Sequence, residues 1–376
     1  MSDMSKSGAA LFVGLISGTS ADGIDAALCR FDPTLELLAA HTHPWPDALR
    51  QRILAVAQGE QMLDLDQYGR LDVNIGACFA DAVRGLLDSS GVNPDAVQAI
   101  GSHGQTIRHR IEGEHPFSLQ IGDPSVIAER TGIDTVADFR RADVAAGGQG
   151  APLMPAFHAA VLRDPSRVRA VLNLGGIANL SILRPDGTVI GFDTGPANGL
   201  MDAWCQLQRG EPFDRYGAFA SHGKIDERVL RKLLADPYFL RPAPKSTGRE
   251  YFHLEWLRGR VQVGAMKPED VQATLLALSV RSIVQALRRE APDTYEVVVC
   301  GGGVHNPALM QGLTEALDPQ PVVSSDLHGV PVDHVEAMGF AWLAMRRLAG
   351  LPGNLPAVTG AAGPRLLGSL HAAPRH

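Results

Sequence analysis

Three glycine-rich turns, each fed by an apolar run, limit what this chain can be. They are LISGTSADGID (Leu15–Asp25), NLGGIANL (Asn173–Leu180) and CGGGVHN (Cys300–Asn306). Glycine allows tight turns and lets backbone N–H groups approach an anion closely. A single turn of this kind is weak evidence, because glycine turns occur everywhere. Three of them, spread over the chain and each set at the end of a predicted strand, point to phosphate cradles.

The surroundings of the first two turns repeat. Ala10–Leu15 reads as a strand, Gly18–Gly23 as a turn and Ile24–Phe31 as a second strand with alternating apolar positions. In the second half, Val168–Leu174 leads into Gly175-Gly176, followed by strands at Leu180–Leu183 and Thr188–Asp193 around a Pro185-Asp186-Gly187 turn. This order suggests internal duplication, with one ATP held between two similar halves. Long amphipathic helices are expected over Asp66–Ser89 and Lys267–Arg289, with further helices over Pro307–Leu317 and Val335–Leu348. Val97–Ser102 reads as a short buried strand ending at HGQT, and the tail after Gly350 as irregular.

Strands alternating with helices predict an α/β protein. The antiparallel hairpins argue against a plain Rossmann sheet, and no GxGxxG with a following ribose-binding acid is present. With 376 residues the chain has room for two domains. The boundary is placed near the polar loop DFRRADVAAGGQGAP, giving domains over 1–140 and 141–376.

The net charge is −7 with no basic block, which disfavours a nucleic-acid partner. The apolar stretch near the N-terminus is too short to span a membrane and lacks a basic leader. A cytoplasmic protein with a few disordered leading residues and no membrane association is expected. Its four cysteines share no metal-ligand spacing and read as reduced thiols.

Chemistry is concentrated in a few segments. In SGTSADGID, the backbone of Gly18 and Gly23 with the hydroxyls of Ser17, Thr19 and Ser20 suits phosphate. Asp22 and Asp25 suit Mg²⁺, directly or through water, since this ion takes oxygen ligands and keeps several waters. An ordinary Asp-Gly hairpin is the alternative. NLGGIANL offers a second cradle at Gly175 and Gly176, with a structural turn as its alternative. Gly301, Gly302 and Gly303 with Asn306 form the third.

Asp193, in GFDTGPANGLMDAW, sits at a predicted strand end before a helix. A carboxylate there can serve as general base; capping the helix is the competing role. His103, Gln105 and Thr106 in GSHGQTIRH suit hydrogen bonds to a sugar or amide. Arg140 suits a substrate carboxylate as a bidentate donor, or equally a neighbouring aspartate, and Gln149 lies in the same loop. KSTGREYF (Lys245–Phe252) reads as a loop near substrate. Glu336, in an otherwise apolar helix start, reads as a buried carboxylate, which has to be paired or functional.

SGTSADGID, GSHGQTIRH, DFRRADVAAGGQGAPLMP, NLGGIANL, FDTGPAN, KSTGREYF and CGGGVHNPALM, in that order, resemble the motifs of anhydro-N-acetylmuramic acid kinases. The resemblance runs from Gly14 to about Leu343. It implies the actin-like, sugar-kinase and heat-shock ATPase fold, with two ribonuclease H-like α/β domains and a nucleotide and sugar cleft between them. It implies that water opens the 1,6-anhydro ring at C1 while O6 takes the γ-phosphoryl of ATP, giving N-acetylmuramic acid 6-phosphate in cell-wall recycling. Asp193 then matches the base that activates water, Gly18–Gly23 and Gly175–Gly176 the phosphate loops, and Gly301–Gly303 the adenosine region. Arg140 and Glu336 match positions lining the sugar site. Mg²⁺ dependence and a homodimer are further implications. Two departures are Ala21, where the family more often has Leu, and Ala197, where Gly is frequent.

Overall fold

The computed structural model describes residues 10–248 and 251–375. The leading residues expected to be disordered, and Arg249 and Glu250 of the KSTGREYF segment, lie outside them. The chain forms two compact units, Met1–Phe157 with His334–His376, and His158–Asp333. The division therefore falls at 157/158 rather than at 140/141, and the closing helix belongs to the first unit.

The first unit holds β1 (Leu11–Ser17), β2 (Ile24–Arg30), β3 (Glu36–His43), β4 (Val97–Arg110), β5 (Phe117–Ile121), β6 (Thr135–Ala137) and β12 (Ser369–His371). Its sheet runs β12-β6-β4-β1-β2-β3, with β5 also paired to β4. The second unit holds β7 (Arg169–Leu174), β8 (Ile177–Leu183), β9 (Val189–Pro196), β10 (Glu296–Cys300) and β11 (Val322–Ser324), ordered β11-β10-β7-β8-β9.

The two sheets share a plan. In each, the first three strands form an antiparallel meander, and the first strand then pairs in parallel with a fourth. A fifth strand joins the fourth in parallel, β6 in one unit and β11 in the other. This repeated order is the actin-like arrangement, and it matches the duplication expected from the repeated glycine turns.

Local chemistry accounts for the main elements. The helix Leu65–Ser90 begins with a capping box in which Asp64 accepts from the Gln67 N–H at 2.7 Å and Gln67 accepts from the Asp64 N–H at 3.2 Å. Its apolar stripe, including Leu71, Ile75, Phe79, Val83 and Leu86, is buried in the first unit's core. The helix Pro268–Glu290 carries Val271, Leu275, Leu278, Ile283 and Leu287 into the second core.

The helix Val335–Leu348 returns to the first unit because two strands lack side chains beneath it. A Cβ on Gly14 of β1 would lie 1.7 Å from the Ala337 carbonyl oxygen, and one on Gly101 of β4 would lie 2.0 Å from that of Phe340. Backbone therefore packs on backbone. The tail is also less irregular than expected: β12 pairs antiparallel with β6, and Pro356–Thr359 is a short helix.

Candidate active site

In the first unit, the site residues gather where β1 and β6 end. The SGTSADGID turn is held from behind. The Gly18 carbonyl accepts from the Ala21 N–H at 3.0 Å and from Gln105 Nε2 at 3.2 Å. Arg50 donates to the carbonyls of Ala21 (2.8 Å) and Ser20 (3.4 Å), and to Asp22 at 3.0 Å. Peptide C=O and N–H groups point oppositely across a planar bond. Fixing the carbonyls of Gly18 and Ala21 therefore turns the N–H groups of Thr19 and Asp22 the other way. Gly18 and Thr19 are exposed and Ser20 half-buried, as a phosphate turn requires, whereas Ser17 is buried and accepts from Trp45 Nε1 at 3.2 Å. Ala21 has φ +48°, a conformation usually left to glycine, and its side chain is part of the core.

Among the described residues no group of three or more His, Cys, Asp or Glu forms a metal cage. Asp22 is exposed and Asp25 accepts from Thr42 Oγ1 at 2.6 Å. Two oxygen donors of this kind fit Mg²⁺, which commonly uses one or two carboxylates and completes its shell with phosphate and water.

His103, Gln105 and Thr106 do not sit at a strand end, because β4 continues through them to Arg110. Each has a partner within the protein, although Gln105 Oε1 is buried without one among the described residues. Gln105 is fully buried and bonds the Gly18 carbonyl, and Thr106 Oγ1 accepts from Gln120 at 3.1 Å. His103 Nε2 accepts from Arg140 Nε at 3.0 Å, which leaves its Nδ1–H to donate to the Gly104 carbonyl at 2.9 Å. Burial, with Arg140 adding to it, holds this imidazole well below the usual range, so it is neutral.

Arg140 follows β6 and is fixed at a second point, donating from Nη1 to the Gly150 carbonyl at 2.7 Å. Burial lowers its guanidinium to about 10, while Glu336 and Asp143 act the other way. Asp143 is fully buried and accepts from the Gly150 N–H (2.8 Å), Asn354 (2.6 Å) and Thr359 (2.7 Å). The tail thus ties down the loop that carries Arg140. Gln149 is exposed, with its N–H on the Thr359 carbonyl. Glu336 is exposed rather than buried, yet desolvation still raises its carboxyl, with Arg140 opposing and Asp25 adding.

In the second unit, two glycine turns come together at the ends of the parallel strands β7 and β10. Ligands of open α/β sheets bind at this carboxyl edge. A Cβ on Gly301, which has φ +82°, would lie 2.3 Å from Asn173 Oδ1, and one on Gly303 would lie 2.5 Å from Leu174 Cβ. Gly302 is exposed, with nothing within 4 Å of such an atom. The Gly175 and Gly176 carbonyls accept N–H groups from residues 197–199, joining their turn to the helix Asn198–Arg209. Asn306 is a helix cap, accepting from the Leu309 N–H at 3.2 Å.

Asp193 lies within β9, opposite Asn179, and not at its end. The helix cap is Ala197, with no capping side chain, so capping is not the role of Asp193. Ala197 has φ −113° and ψ −108°, outside the broad β and right-handed α regions. Asp193 Oδ2 accepts from Ser246 Oγ at 3.0 Å and from the Thr247 N–H at 2.9 Å. The composition of KSTGREYF marked it as a functional loop. That it holds Asp193, and that Arg50, Asn354 and Thr359 support the first unit's loops, depends on contacts far apart in sequence.

The model of the family described as "Anhydro-N-acetylmuramic acid kinase" matches residues 10–373. The chain belongs to the anhydro-N-acetylmuramic acid kinase family. Relatives carrying that name include one from Xanthomonas campestris pv. campestris, 56% identical over 96% of this chain and 97% of its own. Another from Xylella fastidiosa is 53% identical, covering 97% of both chains. One from Coxiella burnetii is 48% identical over 96% of this chain and 97% of its own. Among the described residues no helix is long and apolar enough to cross a membrane.

Proposed function

We propose that the chain uses ATP to convert 1,6-anhydro-N-acetylmuramic acid into N-acetylmuramic acid 6-phosphate and ADP, within cell-wall recycling in the cytoplasm. The observation that carries this reading is Asp193, a carboxylate anchored on a sheet strand at Oδ2 and spared from capping a helix. It takes a proton from water as that water attacks C1 of the sugar. The C1–O6 bond breaks, and O6 attacks the γ-phosphorus as ADP leaves.

Gly18–Gly23, Gly175 and Gly176 hold the phosphates through backbone N–H groups, and Gly301–Gly303 takes the adenosine. Arg140 binds the lactyl carboxylate, its planar head already fixed at two points. Glu336 faces the sugar hydroxyls. Asp22 and Asp25 would hold Mg²⁺, which neutralises phosphate charge when bound. A homodimer completes the proposal, and light scattering at twice the protomer mass is the expected result.

The reaction is tested by incubating the protein with ATP, Mg²⁺ and the anhydro-sugar in ¹⁸O-water. The expected product is a phosphorylated sugar with one ¹⁸O at C1, read by mass spectrometry before anomeric exchange. ADP and free phosphate with unchanged sugar would overturn the substrate assignment.

A further inference from the structure

The segment Lys245–Thr247 touches Asp193 at three points. The Asp193 N–H donates to the Lys245 carbonyl at 2.9 Å, so this segment continues the hydrogen bonding of β9 at the sheet edge. Ser246 and Thr247 both donate to Oδ2, one through a hydroxyl and one through a backbone N–H. The far side of the segment is anchored as well. Lys245 Nζ donates to the Tyr238 carbonyl at 3.1 Å, and the Tyr238 hydroxyl donates to the Asp193 carbonyl at 2.8 Å. Tyr238 is 1% exposed and packs edge-on to Phe239 and Phe252. Its N–H is held by Asp236, a buried carboxylate that also accepts from Tyr251, Trp256 and Arg260.

Two donors on one carboxylate oxygen restrict rotation about the terminal side-chain torsion, which is otherwise broad. One donor is backbone and survives substitution, whereas the other is a side chain. Ser246 is exposed and adds nothing to the core. Its hydrogen bond to a half-exposed carboxylate is worth little to folding, because water can replace it. The same bond matters to a general base, whose rate depends on the angle at which it meets its proton. Resting on the reaction proposed above, we propose that Ser246 is a positioning residue for Asp193, fixing the plane of its carboxylate for proton abstraction.

The test compares Ser246→Ala and Ser246→Thr with the natural protein, measuring kcat, KM for sugar and ATP, and melting temperature. For Ser246→Ala the expected kcat falls about 10- to 100-fold, by analogy with small misplacements of catalytic groups. Both KM values stay within about twofold, and melting shifts by no more than about 4 °C. Ser246→Thr keeps the hydroxyl and restores most of the rate. A kcat for Ser246→Ala within twofold of the natural value would overturn the inference. So would a loss of rate matched by a loss of stability, with Ser246→Thr no better. A natural protein that forms no phosphorylated sugar overturns the reaction itself, a result separate from either.

Discussion

Asp193 and the glycines of the turns make different demands on a mutation, and this separates chemistry from scaffolding. Asp193→Asn keeps the size of the side chain and can still accept from Ser246 and the Thr247 N–H, but it cannot take a proton at neutral pH. Loss of a general base predicts a fall in kcat of about 10²–10⁴-fold, with ATP affinity nearly intact. Steady-state kinetics with a separate ATP-binding titration checks this, and a near-normal rate would remove Asp193 from the role. Gly302→Ala probes the nucleotide. Within the protein, its new methyl meets nothing within 4 Å, and its φ is not in the left-handed region. Stability is therefore expected to hold within about 0.5 kcal/mol, as for other surface changes. If the turn takes the nucleotide by close backbone approach, ATP affinity drops at least tenfold. Unchanged affinity would place the nucleotide elsewhere.

At the scale of elements, the seat of the helix Val335–Leu348 decides where Glu336 points. A methyl at Gly101 would meet the Phe340 carbonyl oxygen at 2.0 Å and Ala344 Cβ at 3.1 Å. The first of these is backbone and cannot swing aside. Gly101→Ala is expected to destabilise the protein by more than about 2 kcal/mol, at the upper end of overpacking costs, and to lower activity by moving Glu336. Urea midpoints checks the first part; a midpoint equal to the natural one would show that the helix can slide.

The strands around the glycine turns were readable in advance, because alternation and turn chemistry are local. The home of the closing helix was not. Gly14 and Gly101 read as unremarkable strand residues until the helix is laid across them. The same limit hid the hydrogen bonds that His103, Gln105 and Thr106 make within the protein. Their partners, Arg140, Gly18 and Gln120, belong to other segments, and no spacing rule brings them together. Asp193 drew notice as a carboxylate at a predicted strand end before a helix, and Arg140 as a bidentate donor in a polar, glycine-rich loop. The carboxylate's clasp and the tail's hold on Asp143 depended on tertiary contacts alone.

Across the whole molecule, each unit buries a neutral histidine. His103 in the first unit accepts from Arg140, and His158 in the second bonds Ser181 at 2.9 Å. Burial lowers His158 to about 4 and carries His103 in the same direction. An unfolded histidine titrates near 6.5. As pH falls through that value the unfolded chain takes up protons that the folded protein refuses, so stability falls. For His158 the loss begins near pH 6.5 and is complete at about 4. It amounts to roughly 3 kcal/mol at about 1.4 kcal/mol per pH unit. Two half-buried carboxyls act in the opposite sense: Asp72 and Asp138 are raised chiefly by burial and favour the folded state as they protonate. Their effect runs from the unfolded carboxylate value upward and so opposes that of the histidines. Urea midpoints measured from about pH 6.5 to about 4 should therefore carry a decline due to His158 beneath the opposite trend of the carboxyls. His158→Gln, which cannot titrate, should flatten the decline whatever its stability at pH 7. A slope identical to that of the natural protein would show that His158 accepts its proton without unfolding.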